Sequence, residues 1–120
     1  MMERLIRLKT RADFLRVAGT RRRAARPGLI LQAAPQPDDA GARPRVGFTA
    51  SRRVGNAVAR NRAKRRLRAA ASSVLSAQGR DGTDYVLIAR AGTGARPYAE
   101  LLADLEGALR QVSRPGHREG

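Results

Sequence analysis

The sequence has no cysteine and no tryptophan, and its single histidine, His117, lies near the C-terminus. Without cysteine the chain can form neither disulfide bonds nor thiolate metal sites. One histidine cannot build a histidine-based metal cage. Only two phenylalanines and two tyrosines occur in 120 residues, so we expect the core to consist mainly of Leu, Val, Ile and Ala.

Long apolar segments are also missing. No apolar run approaches the roughly 20 residues that span a bilayer, and the first residues, MMERLIRLKTR, lack the apolar core of a secretion signal. We therefore expect a soluble cytoplasmic protein. The length predicts one domain over residues 1–120, with a flexible tail from about residue 113.

Positive charge is what the sequence has in excess, and it is unevenly distributed. The chain has 25 Lys and Arg against 10 Asp and Glu, a formal charge of +15. Residues 1–68 contain 19 of the basic and four of the acidic residues, whereas residues 69–120 contain six of each. A one-sided positive field indicates a polyanionic partner. Nucleic acid is the leading candidate, and an anionic membrane is the second.

Hydrophobic periodicity and turn residues divide the chain into alternating elements. The patterns predict helices at 11–18, 57–76 and 98–112, and strands at 28–34, 45–51 and 84–90. Loops are expected at PQPDDAGARP (35–44) and AGTGARP (91–97). We interpret the glycines of AGTGARP as turn formers and not as a phosphate cradle. The fold class is therefore α+β, a single-domain α/β sandwich with helices on a small mixed sheet. The helix at 57–76 should make the strands on either side of it parallel.

The most unusual stretch is SRRVGNAVARNRAKRRLR, residues 51–68, where eight of eighteen residues are basic and none is acidic. Asn56 is placed to cap the helix that follows. A narrow alanine-rich face centred on Leu67 should lie against a sheet, and Arg60, near that face, should open into a groove. Arg62 and Arg66 fall on one flank. The other flank forms a polar stripe of Asn61, Lys64, Arg65 and Arg68.

This helix carries two electrostatic penalties. Like charges recur four residues apart, each pair costing a few tenths of a kcal/mol, and basic residues in the first turn oppose the helix dipole. The alternative is a solvated helix face without a ligand. The uncompensated repulsion between the basic side chains instead indicates that a polyanion binds the helix.

The run RVGFTASRRVGNAVARNRAKRRLR, residues 45–68, resembles the signature of the protein subunit of bacterial ribonuclease P, centred on Arg60-Asn61-Arg62. The segments RLKTRADFLRV and DYVLIAR fit the same family in order and spacing, so the resemblance covers roughly residues 7–112. It implies the order α-β-β-β-α-β-α with a βαβ crossover that is left-handed in the family. It also implies two strands within residues 21–34.

The resemblance further implies a function. Family members bind a large catalytic RNA and with it remove the 5′ leader of precursor tRNA. The RNA and its bound Mg²⁺ perform the hydrolysis, while the protein binds the leader in a central cleft. We thus expect an enzyme subunit that holds no cofactor by itself, whose partners are the catalytic RNA and precursor tRNA.

By match to the family, the RNA-binding residues are expected to be Arg52, Arg53, Arg60, Asn61, Arg62, Lys64, Arg65 and Arg68, with Arg7 and Arg11 extending the basic surface. The leader cleft is expected to contain Phe14, Ser51, Arg60 and Asn61. Phe14 could alternatively be an ordinary core residue. Ala18 and Gln32 stand where aromatic residues are frequent in the family, so the cleft should depend less on stacking and more on arginine and hydrogen bonds.

The residues themselves offer no catalytic centre, because the carboxylates are scattered as Asp13, Asp38, Asp39, Asp81 and Asp84. We read Asp81 and Asp84 as turn and strand-start residues. The alternative function is a structural RNA-binding protein of ribosomal type without a catalytic assembly. A membrane-binding helix would carry bulky apolar residues instead of alanine, and a DNA reader would need a recognition helix and usually a dimer. We expect neither a membrane nor a DNA partner.

Overall fold

A computed structural model describes residues 5–113 of the chain; His117 and the predicted tail beyond residue 113 lie outside the described residues. The strands are β1 (Ile6–Arg7), β2 (Arg23–Arg26), β3 (Leu29–Pro35), β4 (Arg45–Thr49) and β5 (Thr83–Ala89). The α-helices are α1 (Arg11–Gly19), α2 (Ala57–Gln78) and α3 (Tyr98–Ser113), and short 3-10 turns occupy Asp38–Ala40 and Arg52–Val54.

The strands form one mixed sheet in the order β1-β4-β5-β3-β2. β4 lies parallel to both β1 and β5, while β3 pairs antiparallel with β5 and β2. α2 makes the crossover from β4 to β5 and packs with α3 on one face of the sheet, and α1 lies across β3 and β5 on the other. The predicted α+β class is confirmed, as is the parallel pairing around α2.

Two details differ from the strand pattern read from the residues. The apolar run alone indicated a single strand at 28–34, but residues 23–35 form the two strands β2 and β3, as the family resemblance implied. The order also gains β1 ahead of α1. Two residues are too few to show alternation, and β1 exists only because it pairs with β4.

Alternation along β4 divides the core into two layers. Val46 and Phe48 belong to the layer under α2 and α3, whereas Gly47 faces α1, since a Cβ built there would meet the ring of Phe14. The alanine-rich face of α2 is confirmed, with buried residues Ala63, Leu67, Ala70, Ala71, Val74 and Leu75. Small residues let the helix lie close to the sheet.

The loop between β5 and α3 is anchored by polar groups that the sequence did not reveal. Oδ2 of Asp104, nearly buried on α3, accepts hydrogen bonds from the backbone N of Gly28 at 2.9 Å and from Nε of Arg96 at 2.6 Å. Oγ1 of the buried Thr93 donates to the Gly28 carbonyl at 2.7 Å. The loop is thus tied to the β2–β3 turn and to α3, and residues 91–95 form turns, as expected for the loop glycines.

Candidate nucleic-acid interface

The first turn of α2 is closed by polar groups on both sides of its start. The side chain of Asn56 accepts a hydrogen bond from the backbone N of Ala59 at 2.9 Å, which confirms the predicted cap. Nη1 of Arg60, half-buried, donates to the carbonyl of Gly55 at 2.9 Å. Gly55 itself has φ of 143°, a conformation that favours glycine. Part of the Arg60 guanidinium therefore stabilises the turn that precedes the helix.

One flank of α2 carries the four residues that we call the α2 stripe: Asn61, Lys64, Arg65 and Arg68. Asn61 and Arg65 are exposed, and Lys64 and Arg68 are half-buried. Arg68 lines an open cavity of about 310 Å³ together with Arg7 and Phe48. The guanidinium of Arg7 lies 5.3 Å from the centre of the Phe48 ring, within cation–π range. The positive surface therefore continues from α2 onto the β1 edge of the sheet.

The opposite flank of α2 has its arginines directed at backbone carbonyls. Arg66 donates from Nη1 to Thr93 at 2.7 Å and from Nη2 to Arg96 at 2.6 Å. Arg62, which remains exposed, donates from Nε to Gly94 at 3.2 Å. Arg66 thus holds the loop before α3, while Arg62 combines such a contact with an exposed position. The helical wheel separated the two flanks correctly but could not show what this flank contacts.

Beside α1, part of the other face of the sheet is only half-buried. The half-buried ring of Phe14 rests on Gly47 so closely that a Cβ there would approach Cζ to 2.4 Å. Strand alternation places four half-buried residues on the same face. Thr49 of β4, Ile88 of β5 and Ile30 of β3 lie side by side, and Gln32 lies two residues further along β3. We call the half-buried sheet surface formed by these four residues and bounded by Phe14 the α1 cleft.

A buried ion cluster holds α1 beside this cleft. Asp84 is fully buried and accepts hydrogen bonds from Nε and Nη2 of Arg45 at 2.9 and 2.8 Å, and a further one from Nη2 of Arg16. Arg16 also donates to the carbonyl of Pro35 at 2.7 Å and lies 3.2 Å from Asp13. Residues that are distant in sequence therefore meet where α1 crosses the sheet.

Two groups of this cluster, Asp13 and Arg45, have shifted pKa values. The hydroxyl of Thr10, which donates to the Asp13 carboxylate at 2.9 Å, and the nearby Arg16 and Arg45 lower the pKa of Asp13. The hydrogen bonds that Arg45 donates to Asp84 raise the pKa of the Arg45 guanidinium. Asp84 lies at the start of β5, as the sequence predicted, and in addition contacts both arginines. Its position in an otherwise apolar strand gave no sign of these partners.

The predicted site residues divide between two faces. Phe14 lies on the α1 face, whereas Arg60, Asn61, Arg62, Lys64, Arg65 and Arg68 belong to α2 on the opposite face. Ser51, Arg52 and Arg53 are exposed where the chain passes from β4 to α2, and the side chain of Ser51 accepts a hydrogen bond from the backbone N of Arg53. The sequence did not single out Arg16 or Arg45 as contributors to the site. In the sequence, each of these two arginines is only a basic residue beside a buried element.

This combination of an α+β sheet, a positive helix flank and the half-buried α1 cleft is that of an RNA-binding protein. No helix within residues 5–113 is long and apolar enough to cross a membrane.

Comparison with known proteins gives the family. The family model for ribonuclease P matches residues 2–113. The ribonuclease P protein component of Paramagnetospirillum magneticum is 57% identical over 118 residues, covering 93% of this chain and 86% of the relative. That of Gluconacetobacter diazotrophicus is 47% identical, covering 97% and 98%. The chain belongs to the family of ribonuclease P protein components, and as a subunit of that ribonucleoprotein endonuclease it assists removal of the 5′ leader from precursor tRNA.

Solved structures show the same fold at lower identity. The RNase P protein from Staphylococcus aureus superposes with a TM-score of 0.73 at 24% identity, covering 89% of this chain and 94% of that one. The protein from Thermotoga maritima gives a TM-score of 0.70 at 21% identity, covering 84% and 92%. The three helices and the five-stranded mixed sheet are therefore those of this family.

Proposed function

We propose that the α2 stripe, extended by Arg7, binds the catalytic RNA of ribonuclease P, and that the α1 cleft binds the 5′ leader of precursor tRNA. The observation that supports the first part is a contrast in pairing. Within residues 5–113, no acidic side chain pairs with Lys64, Arg65 or Arg68, whereas Arg45 and Arg96 are paired with buried carboxylates.

The uncompensated charge has a physical consequence for α2. Lys64 and Arg68 are four residues apart on the helix, so they repel each other and oppose helix formation. Phosphate groups spaced along an RNA backbone would relieve that repulsion and release counterions on binding. Arg65, exposed between them, offers a planar guanidinium that can bind a phosphate through two hydrogen bonds.

The α1 cleft has the properties of a single-strand site. Phe14 presents a half-buried ring on which a base could stack, and Gln32 provides amide donors and acceptors on the floor. Thr49 leads directly to the exposed Ser51, Arg52 and Arg53, which supply positive charge at the β4 end. Arg60 and Asn61 would join this end from the other face, around the turn at Gly55.

The Mg²⁺ that the holoenzyme requires is assigned here to the RNA. Asp13 and Asp84 are the carboxylates closest to the cleft, and both are in contact with Arg16, whose positive charge opposes cation binding. Among the described residues, no group of three or more His, Cys, Asp or Glu could hold a metal ion. The side chains of this part of the chain therefore do not fit a Mg²⁺ site.

The stripe can be tested by the salt dependence of RNA binding. Replacing Arg65 and Arg68 together with Ala should weaken binding of a bacterial ribonuclease P RNA. The slope of log K against log[salt] should fall by about one unit per lost phosphate contact. Thermal stability should be unchanged or slightly raised, since like-charge repulsion is relieved.

A matched control removes two charges elsewhere. Arg80 and Arg110 are exposed and lie off the α2 stripe, so the Arg80→Ala/Arg110→Ala variant should keep the wild-type slope. An unchanged slope in Arg65→Ala/Arg68→Ala, together with a clear loss of thermal stability, would show that the stripe is only a structural face of the helix.

A further inference from the structure

The β1 edge of the sheet has an open cavity of about 310 Å³ beside α2, which we call the β1 pocket. Strand register and alternation place Arg7 and Phe48 on the sheet face that α2 covers. The helix lines the pocket with the small residues Ala71 and Ser72 and with Arg68. Small helix residues leave room above the strands, and the Phe48 ring stays half-buried.

The β1 pocket combines an apolar lining with positive charge at its opening. The apolar lining comes from Leu5, Val46, Phe48 and Ala71. Its charged residues are the exposed Arg7 and the half-buried Arg68, and no acidic side chain of residues 5–113 lines it. Ligand pockets span about 300–1,000 Å³, so a volume at the low end of that range fits one ring system. A nucleobase with its backbone phosphates matches this combination, because the base is flat and largely apolar on its faces while the charge lies outside the ring.

Both arginines of the β1 pocket keep their hydrogen-bond donors for a ligand. Arg68 has no hydrogen bond or ion pair within residues 5–113, whereas Arg66, two positions earlier, donates to two carbonyls. Arg7 likewise has no hydrogen-bonded or ionic partner in this part of the chain. Its guanidinium lies 5.3 Å from the centre of the Phe48 ring. The described part of the chain therefore supplies neither guanidinium with an anion.

The contact between Arg7 and Phe48 suits base stacking. Unpaired RNA bases are bound by stacking on aromatic rings and on the planes of arginine guanidinium groups. Phe48 packs against the core under α2, so its ring is already ordered before a ligand binds. Arg7 is exposed and held over the ring by a cation–π contact, so its guanidinium can move to cover an inserted base.

We infer that the β1 pocket binds an unpaired nucleobase of the catalytic RNA, which stacks against Phe48 and Arg7 while Arg68 binds the adjacent phosphate. This inference rests on the proposed function of the α2 stripe and deepens it, because contacts to phosphate groups carry no information about sequence. One accommodated base selects a position at which the RNA is single-stranded or bulged. The β1 pocket would thus set the place along the RNA at which α2 binds.

Salt dependence distinguishes stacking from phosphate binding. Counterions are released when basic side chains neutralise phosphates, so the loss of a stacked base lowers affinity without changing the slope of log K against log[salt]. Phe48→Leu keeps an apolar side chain but removes the ring, and Arg7→Lys keeps the charge but removes the planar group. Each should weaken binding of a bacterial ribonuclease P RNA on the order of tenfold. Both should keep the wild-type slope, unlike Arg65→Ala/Arg68→Ala.

Chemical modification of the RNA bases locates the nucleotide. Dimethyl sulfate and a carbodiimide together react with the pairing edges of all four bases. They should identify an unpaired base of the ribonuclease P RNA that the wild-type protein protects. Phe48→Leu and Arg7→Lys, added at saturating concentration, should lose this protection and keep the others.

Controls separate binding from folding. Arg7 is exposed, so Arg7→Lys should melt at the wild-type temperature, and this variant decides the question if Phe48→Leu lowers stability. Matched controls make the same exchanges on α3. Tyr98→Leu, at a side chain that is 41% exposed, and Arg110→Lys, at an exposed position, should bind the RNA as the wild type does.

Three results would overturn the inference. If Phe48→Leu and Arg7→Lys bind with wild-type affinity while Arg65→Ala/Arg68→Ala is weakened, the stripe binds RNA but no base occupies the pocket. If affinity and salt slope fall together in Phe48→Leu and Arg7→Lys, the pocket binds only phosphate. If Arg65→Ala/Arg68→Ala also leaves affinity and slope unchanged, the proposed function of the α2 stripe fails, and the inference fails with it.

Discussion

Phe14 and Gly47 depend on each other at the point where α1 crosses β4. The ring needs a glycine beneath it, since a Cβ at position 47 would lie 2.4–2.5 Å from two ring carbons and 3.3 Å from Cβ of Leu8. The sequence left open whether Phe14 is a core or a cleft residue, and the structure gives it features of both. Its ring packs at the edge of the cluster that contains Val17 and Val86, yet it remains half-buried.

Phe14→Ala should therefore affect stability and leader binding together. A fully buried phenylalanine costs about 3–5 kcal/mol of unfolding free energy when truncated to alanine, and a half-buried one should cost less. Loss of a stacking platform is worth about 1–3 kcal/mol per base, so the ratio of precursor to mature tRNA affinity should fall in the reconstituted holoenzyme. A preserved ratio with a large stability loss would identify a plain core residue. If neither quantity changes, the leader is bound by basic side chains alone.

Gly47→Ala tests the contact between the Phe14 ring and Gly47 from the strand side. The added methyl group must displace the Phe14 ring, so the variant should lose about 1–3 kcal/mol of unfolding free energy. In a Phe14→Ala background the methyl group would enter vacated space, and most of this cost should disappear. A double-mutant cycle measured by chemical denaturation checks the coupling. Strictly additive effects would mean that the ring does not rest on Gly47 in solution.

At the scale of elements, α1 and α2 are attached to the sheet in different ways. α2 lies on its alanine-rich face by close apolar packing, with its arginines at the flanks. The short α1 contributes one buried residue, Val17, and is held in addition by the ion cluster of Asp84 with Arg16 and Arg45. The position of α1, and so the width of the α1 cleft, depends on this cluster.

Asp84→Asn should consequently destabilise the protein strongly. The substitution removes the buried carboxylate that both Arg16 and Arg45 contact and leaves them only Asp13, at 3.2 and 3.5 Å. Breaking a buried pair costs about 3–5 kcal/mol. Because the two arginine side chains are 30% and 18% exposed, we expect a loss near the lower end of that range. Denaturant unfolding measures it, with the exposed Asp38→Asn as control. A loss of unfolding free energy below about 1 kcal/mol would mean that the cluster contributes no more than an ordinary surface ion pair.

For the molecule as a whole, the distribution of charge matters more than its total. Buried or nearly buried carboxylates at Asp84 and Asp104 neutralise arginines that serve the fold. On the α2 stripe, Lys64, Arg65 and Arg68 have no such acidic partner among residues 5–113. Under the proposed function, the protein holds two RNA segments at once, one on each face of its sheet.

A binding role of this kind predicts that the protein has no nuclease activity by itself. Protein purified free of RNA should release no leader from precursor tRNA, because residues 5–113 present no catalytic constellation. Addition of a bacterial ribonuclease P RNA at low Mg²⁺ should restore leader release. Reproducible cleavage by the RNA-free protein would contradict this division of labour, and failure of the reconstituted mixture would contradict the proposed function.

The sequence by itself determined the elements whose signals are local. Asn56 and the 3.6-residue period of alanines specify where α2 begins and which face it buries, since capping and amphipathicity act within a few turns of one helix. The same holds for β5 and for the apolar stripe of α3. The charge pattern of α2 likewise indicated a polyanionic partner, because helical neighbours are known from spacing alone.

Only the tertiary structure decided what depends on distant residues. β1 consists of two residues and is a strand only through its pairing with β4. Asp84 became an ionic centre because folding brings residues 16 and 45 to it. Thr49, Ile88 and Ile30 of the α1 cleft lie side by side only once three strands take their register. Pairing between strands and ions far apart in sequence leaves no periodic trace in the chain. The positions of the two surfaces to which RNA binding is proposed therefore had to come from the fold.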